Sequence, residues 1–171
     1  MNLQADDFTL FGLPRQFAQE RSELDARWKA LQRQAHPDKF AAQGAAAQRL
    51  AMQWSVRINE AYQRLKDPLK RAAYLCELAG GAIDAHSNTA MPADFLMQQM
   101  EWRETLDDAT SAAALDDLLD AVQAERQRLL QQCETLLDQQ NNTAAAVATV
   151  RALMFIDKFA QDLHLRLEQC E

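Results

Sequence analysis

The chain has 171 residues, enough for one ordinary domain or two small ones, and its four glycines, four prolines, four valines and three isoleucines argue against sheets and for helices. A formal charge of −7 conceals two halves, because residues 1–79 carry twelve basic against nine acidic side chains and residues 80–171 carry six against sixteen; two electrostatic characters suggest two partners, and the acidic balance disfavours nucleic acid. Met1–Asp7 has neither a basic end nor an apolar segment, no apolar run reaches membrane length, three cysteines (Cys76, Cys133, Cys170) lack CxxC spacing, and three scattered histidines complete no ligand set, so the expectation is a cytoplasmic protein without membrane contact, disulfide, metal or cofactor.

The pattern predicts an all-α chain. A short helix spans Asp7 to Phe11, with Gly12 as its left-handed terminator and Pro14 beyond. A second runs from Arg21 to Ala35. On it Leu24, Trp28, Leu31 and Ala35 form one inward stripe, while Lys29 and Arg33 lie on the opposite face. A third, from about Ala46 to Lys66, stacks Leu50, Ala51, Trp54, Ile58, Ala61, Tyr62 and Leu65 as the second wall of a helical hairpin. Asp67-Pro68 breaks the pattern, and a fourth helix follows to Ala79 with proline in its first turn. Gly80 to Pro92, GGAIDAHSNTAMP, reads as a linker, which divides the chain into domains at 1–79 and 92–171, with 80–91 between them. Beyond it, helices are expected over Pro92 to Asp107, Ser111 to Gln139, and from Thr143, its N-cap, onward with Ala146, Val150, Leu153, Ile156, Ala160, Leu163 and Leu167 inside. These three make an antiparallel bundle.

Between the second and third helices stands His36-Pro37-Asp38-Lys39-Phe40. Proline pushes its predecessor out of the α region, so the helix ends at His36 and leaves His36 and Asp38 at a stiffened, exposed corner suited to meeting a partner. Alone the triplet is a weak signal. Its context strengthens it: an Asp7-Phe8-Thr9-Leu10-Phe11-Gly12-Leu13 opening, a basic helix before the triplet, and Ile58-Asn59-Glu60-Ala61-Tyr62 after it. Together these resemble the J domain of the DnaJ family over about Asp7 to Ala79. LQRQAHPDKFAAQ, the Asp67 to Leu75 segment and the acidic helical region beginning Asp94-Phe95-Leu96-Met97 narrow the resemblance to the HscB family of iron-sulfur cluster co-chaperones, over nearly the whole chain. Ala35 departs from the aromatic that often precedes the triplet in that family.

The resemblance implies a non-enzymatic protein with two partners. His36, Pro37 and Asp38 would stimulate ATP hydrolysis by an HscA-like DnaK-type chaperone, and Lys29, Arg33, Arg27 and Lys39 would meet that chaperone's acidic surface. The carboxyl-terminal bundle would carry an IscU-like cluster scaffold. A general DnaK-type chaperone with a different client is the alternative reading. An enzyme is disfavoured independently, since no nucleophile-base pair and no phosphate-cradling glycine loop is present.

One clue to the second site needs no kinship. On the fifth helix Trp102 and Leu106 each fall within about 20° of Phe95 and the three suffice for a bundle stripe, which leaves Leu96, Met97 and Met100 as surplus apolar groups bordered by Glu101, Arg103 and Glu104. On the last helix Phe155 and Phe159 also lie off the inner stripe. The positions that match the family's scaffold contacts are Leu96, Met97, Met100, Glu101, Arg103, Glu104 and Phe155.

Overall fold

A computed structural model describes residues 2–83 and 91–170. Among them every regular element is a helix: α1 (Asp7–Phe11), α2 (Arg21–Ala35), a 3₁₀ segment (Pro37–Gln43), α3 (Ala45–Lys66), α4 (Pro68–Leu78), α5 (Ala93–Asp108), α6 (Ala112–Glu134), a π-helical segment (Thr135–Gln139) and α7 (Thr143–Gln169). The chain forms two compact units, Met1–Leu75 and Cys76–Glu171.

In the first unit the caps set the element ends. Asp6 accepts from Thr9 N–H at 3.0 Å and Thr9 Oγ1 at 2.7 Å to start α1. Gly12, at φ 64°, ends it with its N–H on Thr9 O at 3.1 Å. Arg27 then donates from Nη1 to Phe11 O and Gly12 O at 2.9 and 2.8 Å, which fastens α2 to the end of α1. A side chain at Gly12 would collide with that guanidinium, its Cβ 2.7 Å from Nη1. At the other break, Asp67 Oδ1 accepts from Leu69 and Lys70 N–H at 2.9 and 3.3 Å and so caps α4 ahead of Pro68.

Helices α2 and α3 form the expected hairpin. Asp25 meets Tyr62, Trp28 meets Asn59, and Gln32 meets Ser55, an antiparallel register. Phe8, Phe11, Leu24, Ile58, Ala61 and Leu65 are buried at its centre. Trp28 is half-buried rather than central, stacked on Tyr62 at 4.5 Å. Leu50 is a correction: it is exposed, because it lies at the edge of the α3 sector and the side chains nearer the middle already fill the interface. The 3₁₀ segment after Pro37 was also not foreseen from the sequence.

The second unit holds the bundle. Arg126 on α6 pairs with Asp157 on α7 at 2.8 Å. Phe95 meets Phe155, Trp102 stacks on Phe159 and Arg103 pairs with Asp162, so α5 runs parallel to α7 and α6 returns between them. Leu115, Leu118, Val122, Cys133, Val150, Leu153, Ile156 and Leu163 fill the core. Phe159 belongs to that core as well, under Trp102, and is not surplus. The predicted run of α6 to Gln139 loosens at Thr135 into a π turn, closed by Gln140 N–H on Thr135 O at 3.0 Å. The N-cap of α7 is Asn142, whose Oδ1 accepts from Ala145 N–H at 3.2 Å, so Thr143 is the first helical residue instead.

The two units divide inside α4, ahead of the glycine pair. Cys76 is fully buried, and Gly81 packs so closely on α7 that a Cβ there would stand 2.7 Å from Thr143 Cγ2, 2.9 Å from Val147 Cγ2 and 3.2 Å from Cys76 O. Gly81→Ala is therefore expected to lower stability by about 1–3 kcal/mol, read as a fall in the urea midpoint. Residues 84–90 of the sequence-predicted linker, His86 included, lie outside the described residues.

Candidate functional site

The corner between α2 and α3 is open to solvent. His36 leaves the helix at φ −63°, ψ 129°, the extended conformation that a following proline demands. Its Nδ1 accepts from Asp38 N–H at 3.2 Å, which caps the 3₁₀ segment. The carboxylate of Asp38 makes no cap. It lies 3.6 Å from His36 Nδ1 and its side chain is 93 % exposed, against 57 % for His36. If the triplet were only a helix stop with a capping aspartate, that carboxylate would bond the backbone; here the histidine does so and the aspartate remains free for a neighbour. Pro37 is half-buried and Lys39 is exposed.

Lys29 and Arg33 project from α2 into solvent, with no ion pair within 4 Å among the described residues. Arg27 is placed differently. Besides its two carbonyl bonds it pairs with Glu23 at 2.6 Å, so its guanidinium holds α1 against α2.

On the second unit Leu96, Met97, Met100 and Phe155 are all exposed, Met100 by 71 %. Phe155 is steadied by the edge of Phe95 at 6.2 Å between ring centroids. Glu101 and Glu104 are exposed at the border. Arg103 pairs with Asp162 at 3.1 Å and lies over the Phe159 ring at 5.0 Å, so it joins α5 to α7 while edging the patch. Four large apolar side chains on one small bundle face, with charges around them, have the make-up of a protein-binding surface.

Nothing among the described residues gathers three or more metal-ligating side chains. Burial pushes the Cys76 thiol up to about 11 and the Cys133 thiol up to about 12, so both stay protonated and unreactive near neutrality. Cys170 is exposed. No described helix is long and apolar enough to cross a membrane.

Curated relatives match from end to end. The "Co-chaperone protein HscB homolog" of Burkholderia multivorans is 50 % identical, covering 100 % of this chain and 99 % of its own; that of Paraburkholderia phytofirmans is 49 % identical over 99 % and 98 %. The chain belongs to the HscB family of co-chaperones. Residues 91–164 match the family model described as the HSCB C-terminal oligomerisation domain. The fold agrees: "Chaperone HscB from Vibrio cholerae" superposes with a TM-score of 0.83 at 37 % identity, covering 98 % of this chain and 100 % of that one. The human co-chaperone HscB does so with a TM-score of 0.90 at 26 % identity, covering 96 % and 83 %. As an HscB-family member the chain is a non-enzymatic co-chaperone, and every regular element among its described residues is a helix.

One set of residues escaped the sequence reading. Asp7, fully buried, pairs with Arg57 at 2.8 Å and with Arg64 at 2.5 Å, and its N–H donates to Tyr74 Oη at 3.0 Å. A signal for it exists: Arg57 and Arg64, seven residues apart, fall about 20° from each other on α3, beside the apolar stripe and on the side where α1 must pack.

Proposed function

We propose that this HscB-family protein works in the cytoplasm, stimulating the ATPase of an HscA-like DnaK-type chaperone through its J domain and bringing to it an IscU-like iron-sulfur scaffold on its carboxyl-terminal bundle. The observation that carries the first half is the exposed carboxylate of Asp38 at a proline-fixed corner, beside a helix face whose Lys29 and Arg33 have no ion pair within 4 Å among the described residues. Such a face attracts an acidic partner and orients it before contact. The chaperone supplies the catalytic groups; the co-chaperone favours their hydrolysis-competent arrangement, and each tenfold acceleration corresponds to about 1.4 kcal/mol of such preference. The second half is supported by the exposed Leu96, Met97, Met100 and Phe155 patch, rimmed by Glu101, Glu104 and Arg103. No cofactor takes part on this chain; the cluster is cargo of the scaffold.

Two measurements test the reading. ATP turnover by the HscA-like chaperone should rise on addition of the full-length protein and rise further with the scaffold present. In calorimetric titration with the scaffold, Leu96→Ala combined with Phe155→Ala should weaken binding by more than about 2 kcal/mol, while the melting temperature scarcely changes because both side chains are half-exposed already. A large drop in melting temperature would mean that the pair supports the bundle rather than the cargo.

A further inference from the structure

The hairpin of the J domain bears an apolar pair that neither its core nor the His36–Asp38 corner accounts for. Met52 and Val56, one turn apart on α3, are 55 % and 50 % exposed. A polar seam fixes where they stand. Trp28 Nε1 and Gln32 Nε2 donate to Asn59 Oδ1 at 3.0 and 2.7 Å, and Ser55 Oγ donates to Gln32 Oε1 at 3.3 Å. The two helices are antiparallel, so one turn along α2 from Gln32 lies His36, and about one turn back along α3 from Ser55 lies Met52. Val56 follows Ser55 directly, just as Lys29 and Arg33 follow Trp28 and Gln32. In antiparallel neighbours a step of 100° in the chain direction turns both helices toward the same solvent side of the seam. One face of the hairpin thus shows two cations on its α2 bank, two large apolar groups on its α3 bank, and the imidazole and carboxylate of the corner at its end.

We propose that Met52 and Val56 form the apolar half of the chaperone docking surface, meeting a ridge of apolar side chains on the DnaK-type partner that is bordered by its acidic groups. The proposal rests on the function given above and adds a contact to it. Two observations single out this occupant. The pair is continuous with the cationic bank and the corner, so whatever reaches Asp38 along α2 also passes over α3. A second copy of the chain, docking about a twofold axis through this face, would instead bring the Lys29 and Arg33 of both copies into one interface, four like charges together. Apolar groups flanked by charge give affinity and charge gives orientation, so docking and triggering are separable here.

The test uses that separation. In the full-length protein, Met52→Glu with Val56→Glu should raise the concentration needed for half-maximal ATPase stimulation at least tenfold and leave the maximal rate unchanged. Met52→Leu with Val56→Ile should match the unmodified protein. Should the glutamates lower the urea midpoint, Met52→Gln with Val56→Thr gives the same comparison, with a rise of several-fold expected. An unchanged half-stimulating concentration in a folded variant, while the unmodified protein stimulates and Asp38→Asn does not, overturns the docking role alone. No stimulation by the unmodified protein overturns the proposed function and this role with it. A dimer in sedimentation velocity that the glutamate variant disperses assigns the pair to self-association and overturns the proposal as well.

Discussion

Asp38→Asn is expected to leave the fold intact and return chaperone ATP turnover to its unstimulated rate. The substitution preserves shape. The backbone N–H that caps the 3₁₀ segment on His36 Nδ1, at 3.2 Å, belongs to the main chain and survives, and the carboxylate that disappears is 93 % exposed and 3.6 Å from that ring nitrogen. A surface change of this kind alters stability by no more than about 0.5 kcal/mol. What is lost is an ionic acceptor that the partner desolvates on docking. A charge-assisted hydrogen bond is worth about 1.5–3 kcal/mol, and if it forms only in the hydrolysis-competent arrangement its removal lowers turnover by roughly ten- to hundredfold. Steady-state turnover with saturating co-chaperone reads this directly, with a urea midpoint and a scaffold titration as controls that should not move. Surviving stimulation would take the trigger away from this corner and leave the triplet as a bend between two helices.

Legibility in the sequence followed how local each determinant was. The ends of α1, α2 and α4 were readable because each is set by one or two residues acting on their own neighbours: Gly12 at positive φ, Pro37 restricting His36, Pro68 behind Asp67. The exposed patch on α5 was readable because Phe95, Trp102 and Leu106 already supply a stripe, and Leu96, Met97 and Met100 had nowhere left to go. Phe155 and Phe159 show where that reasoning ends. Both lie off the inner stripe of α7, yet Trp102 on α5 covers one and not the other, a choice made by a neighbouring helix that periodicity does not contain. Leu50 and Thr143 fail in smaller ways, one at the edge of a helix sector and the other beside a better capping residue, Asn142. Arg27 marks the same limit on the surface: the family resemblance groups it with the cations offered to a partner, while its fork is occupied by two carbonyls sixteen and fifteen residues away.

The largest effect on stability is expected at Asp7. Its carboxylate is wholly buried and held by Arg57 Nη1 at 2.8 Å and by Arg64 Nε and Nη2 at 2.5 and 3.0 Å, while Arg57 Nη2 also reaches Ala5 O at 2.7 Å and the Arg64 guanidinium lies 4.5 Å over the Tyr74 ring. One anion thereby ties the start of α1 to α3, and the N–H of the same residue ties it to α4. Replacing a buried ion pair whole with apolar side chains is often neutral, but removing one partner leaves the others desolvated and uncompensated, at about 3–5 kcal/mol. Arg57, at 18 % accessibility, recovers little water, but Arg64, at 40 %, regains much of its hydration, so the lower part of that range, about 3 kcal/mol, is the expectation for Asp7→Ala. That is a large fraction of the 5–15 kcal/mol typical of a domain, and the urea midpoint should fall accordingly. A double-mutant cycle distinguishes this cause from a simple packing loss. If the cost comes from a stranded guanidinium, Arg64→Leu will be much less harmful on the Asp7→Ala background than alone, with a coupling above about 1 kcal/mol. Additive losses would mean that Asp7 acts by filling space beneath α1 rather than by its charge.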